Sequence, residues 1–224
     1  MRLDPVLDGW WSTEHAPAPV PDGQLLFAVG ETSALIPLIE HAVDPSLVSA
    51  WIATDALPAV RERLTTLGLR ANRTGWEWMV TRTAPDVSPV QDRLRALTAD
   101  DRQAASDCLA VANPSTQARP GAAGERWWGV DGPDGALLGV VGAEPRPGAL
   151  AGRGSWHLHG LGVRPEARGT GLGGALIAGP TRALLGDGAD WVSLGMWDDN
   201  HGARRIYHRL GFRTVHRLVT LHRR

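Results

Sequence analysis

Residues 155–175, SWHLHGLGVRPEARGTGLGGA, constrain this chain more than any other stretch. Residues 156–163 alternate large side chains with His and Gly, which is strand periodicity, and Pro165 ends the strand because proline donates nothing to a ladder. From Gly174 onward, Ala175, Leu176, Ile177 and Ala178 open an apolar helical face. Between strand and helix lies Arg168-Gly-Thr-Gly-Leu-Gly173. Its glycines leave consecutive backbone N–H groups uncovered at a helix N-terminus, where unpaired donors and the positive end of the macrodipole act together. A polyphosphate is the expected guest.

The remaining sequence has to supply a core for that unit. With 224 residues, 43% hydrophobic and 21% charged, the chain is an ordinary globular one, long enough for one large or two small domains. No apolar run approaches 18 residues, and Met1-Arg-Leu-Asp-Pro lacks the apolar segment of a signal peptide. The expectation is a cytoplasmic protein without a membrane partner. All 23 basic residues are Arg, set against 24 acids, and a net charge of −1 gives no nucleic-acid footprint. Residues 201–224 nevertheless hold seven Arg and no acid, which is either a solvated face or a field favouring a polyanion. Cys108 is the one cysteine, so no internal disulfide forms, and its neighbours Ala105, Leu109 and Ala112 give it a small buried place on a helix.

In chain order, residues 1–22 are irregular and proline-rich, with Trp10-Trp11 expected to pack on a neighbouring lobe. Strands are expected over 25–29, 48–53, 77–82, 94–97, 126–130, 136–143, 156–163, 191–197 and 212–221. Helices are expected over 32–42 with Thr32 as cap, 57–67 closed by Gly68, 98–111 opened by Thr98-Ala-Asp-Asp101, 174–185 and 201–210. Asp131-Gly-Pro-Asp-Gly135 is a hairpin signal. Residues 84–91, with two prolines and no periodicity, form the linker candidate, dividing the chain into domains over 1–88 and 92–224. A shift of 143 residues lays Asp55 on Asp198, Arg61 on Arg204 and Leu67-Gly68 on Leu210-Gly211, an internal echo between the two parts.

Two motifs compete for the glycine loop. Gly169, Gly171 and Gly174 satisfy G-x-G-x-x-G, the dinucleotide fingerprint. That fingerprint follows its strand directly and needs several further βα units, whereas here residues 165–168 intervene and about fifty residues remain. Arg168, Gly171 and Gly173 meet R/Q-x-x-G-x-G/A instead, behind Leu161-x-Val163-x-Pro165. Downstream stands Asn200-x-x-Ala203-x-x-x-Tyr207-x-x-Leu210-Gly211-Phe212. Asn200 suits a helix N-cap; Ala203 and Tyr207, four apart, share a helix face on which the small Ala leaves room for a ligand.

Together these motifs resemble the coenzyme A site of the GNAT superfamily of N-acetyltransferases. The order β-α-β-β-β-α-β-α-β expected over 92–224 is similar to that α/β (mixed-sheet) fold, and the echo makes residues 1–88 resemble a degenerate half of it. The resemblance implies acetyl-CoA as co-substrate and an amine as acceptor. It assigns the backbone of Leu161, Gly162 and Val163 to the pantetheine arm, with an amide near Leu161 polarising the thioester carbonyl. It assigns Arg168, Gly169, Thr170, Gly171, Leu172, Gly173 and Gly174 to the pyrophosphate, and Asn200 to the cofactor arm.

Acetyl transfer expels a thiolate, and Tyr207, the only tyrosine, is the candidate to stabilise or protonate it. Family members often use a Glu or an ordered water on the central strand as base; this strand offers His157 and His159 on one face. His159 is the candidate base, with a structural role equally open, and Glu144 stands in reserve. His157-x-His159 has no Cys or carboxylate at ligand spacing, so no metal is expected. Transfer is expected to be direct, within a ternary complex. A non-catalytic acyl-CoA-binding regulator is the alternative from another class.

Overall fold

The computed structural model describes residues 24–42, 45–71, 75–146 and 154–223. Trp10-Trp11 and most of the 145–154 loop lie outside the described residues. In order, the chain forms β1 (Gln24–Ala28), α1 (Thr32–Ala42), β2 (Leu47–Ala53), α2 (Leu57–Thr66), β3 (Leu69–Ala71), β4 (Trp76–Thr81) and β5 (Leu94–Ala96). Then come α3 (Arg102–Ala112), β6 (Arg126–Asp131), β7 (Leu137–Arg146), β8 (Ser155–Val163), α4 (Leu172–Gly186), β9 (Val192–Trp197), α5 (His201–Arg209) and β10 (Arg213–Arg223). Contacts gather these into two compact units: residues 24–79 with 196–201 and 214–223, and residues 80–195 with 202–213. That grouping departs from the simple chain-order cut near residue 90, because most of β10 clusters with the first unit.

In the first unit β1 runs parallel to β2, and β10 pairs antiparallel with both β2 and β3. Leu57, Val60 and Leu64 make one stripe along α2. With Leu35 and Ile39 of α1 they share a core with Leu47, Ile52, Leu69, Val219 and Leu221. Thr32 is not the cap expected of it. Its hydroxyl donates to Asp55 at 2.9 Å, while the Glu31 carbonyl accepts from the N–H of Ala34 and Leu35. Strand β3 was not expected either; three residues are too few for a periodic signal.

In the second unit β5, β6, β7 and β8 pair antiparallel in sequence, and β9 joins β8 in parallel. Helix α4 makes the crossover that a parallel pair requires. Neighbouring residues of β7 show that the two long helices cover opposite faces. A Cβ at Gly139 would stand 2.8 Å from Leu176 of α4. Val140 instead joins Ala105, Cys108, Leu109 and Ala112 of α3. Strand β8 repeats the division: Gly162 lies under Ala112 and Leu109, whereas the Val163 side chain reaches toward Gly173. The expected capping box holds, with Thr98 N–H donating to Asp101 at 2.8 Å, and Arg95 ties that carboxylate to Asp131 across β5 and β6. Among the described residues no helix is long and apolar enough to cross a membrane.

Candidate active site

The glycine loop begins where β8 gives way to a 3-10 turn, Pro165–Ala167. Gly169 (φ 78°) and Gly171 (φ 86°) take left-handed backbone that other residues adopt only with strain. They turn the chain so that α4 starts at Leu172, and the first helical bond runs from Ala175 N–H to Gly171 C=O at 3.1 Å. The N–H groups of the preceding turn therefore have no acceptor within the helix. Gly173 and Gly174 are helical, where glycine costs about 1 kcal/mol each relative to alanine. Packing does not demand them. A Cβ at Gly173 would meet its nearest atom, Val163 Cγ2, at 3.8 Å, and one at Gly174 would meet Ile206 Cγ2 at 3.9 Å and an Arg209 guanidinium nitrogen at 4.0 Å. These are ordinary contacts, unlike the 2.9 Å to Leu94 that forces Gly179. The bare backbone leaves space for something outside the chain.

The Arg168 side chain turns back from this opening. Its Nε donates to Val163 C=O at 3.1 Å and a terminal nitrogen to Ala112 C=O at 3.2 Å, clasping the ends of β8 and α3. Thr170 likewise donates to Ala167 C=O at 2.7 Å. Arg209 of α5, which the motifs do not single out, is the guanidinium standing over the start of α4. Its helix is also that of Tyr207, so the loop and the second motif meet through Ile206 and Arg209. Asn200 precedes α5, its N–H donating to Trp197 C=O at 3.0 Å, and groups with the first unit.

Strand β8 carries a bulge. Val140 faces Gly162 and Gly142 faces His159, so Gly160 and Leu161 together oppose the single Val141. Gly160 (φ 60°) makes the kink and lies under Ala118 and Trp127, where a Cβ would come within 2.8 and 2.9 Å. Leu161 C=O is taken by the Asn113 side-chain amide at 3.0 Å. The bulge lifts this segment out of the ladder at the position where a polarising amide was expected.

The two histidines of β8 differ. His157 is half-buried, and its Nδ1 lies 3.0 Å from the Ser193 hydroxyl. That hydroxyl donates to Trp156 C=O at 3.3 Å, so it receives the Nδ1 proton. Burial, with Arg146 and His159 nearby, holds the ring well below its ordinary range. His159 stands edge-on to Trp127, centroids 5.2 Å apart. Its Nε2 is buried without a hydrogen bond, 3.4 Å from Glu125 Oε1. Burial lowers its pKa as well, against the pull of Glu125 and Glu144, so the ring is neutral at pH 7 and able to accept a proton. Glu144 is ion-paired with Arg146.

Glu125 and Trp127 escaped the motif search. Glu125 immediately precedes β6 and Trp127 stands two residues on, the spacing that sets both on one side of an extended chain. Trp127 Nε1 donates to Glu125 Oε2 at 2.9 Å. Tyr207, in contrast, is where the helix spacing puts it. It is 7% exposed, its ring 6.2 Å from Phe212, and burial pushes its phenol up to about 12. A phenol that weakly acidic holds its proton and is available as a hydrogen-bond donor.

The comparisons with known proteins agree with this geometry. The chain is similar in fold to an acetyltransferase of the GNAT family from Novosphingobium aromaticivorans, with TM-score 0.59 and 20% identity over 88% of this chain and 84% of that one. A GCN5-related N-acetyltransferase from Kribbella flavida gives TM-score 0.55 and 21% identity over 86% and 74%. Among curated proteins no sequence matches. The model of the acetyltransferase (GNAT) family matches residues 94–212, more than half of the chain. This protein, with its glycine-opened helix beside a buried tyrosine, therefore belongs to the GNAT family of acetyltransferases, enzymes of acyl-CoA-dependent N-acetyl transfer.

Proposed function

We propose that the protein transfers an acetyl group from acetyl-CoA to a primary amine directly, within a ternary complex. The observation that carries this reading is Gly173-Gly174. Two helix-weakening residues that no internal contact requires open α4 beside the helix bearing Tyr207. Backbone donors of residues 171–174 would hold the pyrophosphate, with Arg209 as its cation, and the bulged backbone of Leu161–Val163 would run beside the pantetheine arm. Neutral His159 takes the proton of the incoming ammonium. The free amine attacks the thioester carbonyl, the C–S bond breaks, the second proton shed by the acylated nitrogen passes to the departing sulfur, and the Tyr207 phenol donates a hydrogen bond to that sulfur as its charge develops. Against a thiol near ~8.5, a phenol near 12 stabilises the thiolate rather than surrendering its proton. The catalytic domain in this reading covers residues 92–224, supported by the family match over 94–212. Residues 1–88 stand as the degenerate half.

The test is release of free thiol from acetyl-CoA across a panel of primary amines. Amine-dependent release with stoichiometric acetyl-amine supports the reading. Tight acetyl-CoA binding with no release across the panel would replace it with an acyl-CoA-binding regulator.

A further inference from the structure

Glu125 is a largely buried carboxylate that no Arg among the described residues pairs with. Its side chain is 10% exposed. Its partners among the described residues are the Trp127 indole N–H at 2.9 Å and a neutral His159 ring at 3.4 Å that fails hydrogen-bond geometry. A largely buried charge without a counter-charge is costly, and a cationic ligand group placed on it would offset that cost. Next to it lies a cavity of about 210 Å³ walled by Leu97, Ala105, Pro120, Trp127 and Glu125 itself. Asp101 also borders this cavity but is engaged by Arg95, and Arg102 donates to Gly121 C=O at 3.2 Å. Glu125 is thus the lining carboxylate with no cation paired to it among the described residues, while the Arg102 guanidinium, held by a neutral carbonyl, is the cation of the same wall. The volume falls below the roughly 300 Å³ at which drug-sized sites begin.

The geometry points to Glu125 as the acceptor-recognition residue: it receives the ammonium of a compact amine whose apolar body fills the cavity against Trp127. This deepens the transferase reading and rests on it. An ammonium on Oε1 lies beside His159 Nε2, and the bulge at Leu161 is two residues further along β8, roughly 7 Å. The proton passes from ammonium to His159, and the imidazolium so formed then pairs with Glu125 while the neutral amine turns to the thioester. Once product leaves, His159 returns the proton to solvent. A bulky polycationic acceptor, or one bearing a carboxylate against Glu125, fits this cavity poorly.

The test compares two acceptors of similar shape: phenethylamine, an ammonium at pH 7.5, and O-benzylhydroxylamine, neutral there. In Glu125→Gln the ratio of kcat/KM for the ammonium over the neutral amine should fall roughly 10- to 100-fold, the loss of one charge-assisted contact, with acetyl-CoA affinity unchanged. Glu125→Asp should recover part of the ratio. A ratio that stays at the wild-type value, with both acceptors slowed alike, makes Glu125 structural and overturns the proposal. Wild-type protein inert toward every amine would overturn the transferase reading instead. Calorimetric titration of phenethylamine into wild type and Glu125→Gln then decides the recognition claim alone: binding lost in the variant upholds it, and equal or absent binding in both refutes it.

Discussion

In the proposed transfer Tyr207 and His159 divide the proton work, and burial moves the two groups in opposite senses on the acidity scale. The phenol rises to about 12, so it stays protonated throughout the usable pH range. Tyr207→Phe should therefore lower kcat by roughly 10²–10⁴-fold without displacing either limb of the pH–rate profile below pH 10, and leave the acetyl-CoA Kd nearly unchanged. A shifted basic limb in that variant would mean that the phenol titrates in catalysis. His159 has the reverse shift, with burial favouring its neutral form. It is active as a base when deprotonated, so kcat/KM should fall only as pH drops below the ordinary histidine range near 6.5, and His159→Gln should remove that acidic limb. The motifs carried Tyr207 because its partners in the pattern lie within a dozen residues of it. Glu125 had only its spacing to Trp127 as a local signal, since what makes it significant is His159, brought alongside from β8.

At the scale of elements, the start of α4 is a place where stability and ligand binding pull apart. Alanine at 173 or 174 meets only contacts of 3.8–4.0 Å and restores a helix-favouring residue. Gly173→Ala and Gly174→Ala should each stabilise the protein by about 0.5–1 kcal/mol, read as a rise in Tm, while weakening acetyl-CoA binding by tenfold or more. Gly139→Ala is the control of opposite sign: its Cβ would press Leu176 at 2.8 Å and the Gly162 carbonyl at 3.0 Å, so Tm falls. Should the Gly174 variant gain stability and keep full affinity, the bare backbone would have no ligand to serve. The loop's glycines were legible because a turn and a helix start are written in adjacent residues. The bulge in β8 was not, because nothing within SWHLHGLGV says that Val141, on another strand, will face two of its residues. Period-two alternation alone would have continued straight through it.

For the whole molecule, element order was readable from local periodicity, but the grouping of those elements was not. Alternation in the sequence marks β10 as a strand, whereas its pairing with β2 and β3 joins residues 150 or more positions apart, beyond any local signal. A molecule whose strand β8 carries two half-buried histidines should also show it in the pH dependence of its stability. Both His157 and His159 have folded pKa values below the unfolded one near 6.5. Between the two values the unfolded chain binds protons that the folded chain refuses, so stability is full above about pH 6.5 and declines as pH falls toward the folded values. Asp101, depressed by Arg95, acts in a separate window below its ordinary 3.8. Thermal unfolding followed from pH 7.5 to 5 should therefore show Tm falling by several degrees. His157→Gln, which removes the more strongly depressed group, should flatten that slope. An unchanged slope would place the titrating groups elsewhere than under the Ser193 hydroxyl, and with it would go the view that β8 folds only around neutral imidazoles.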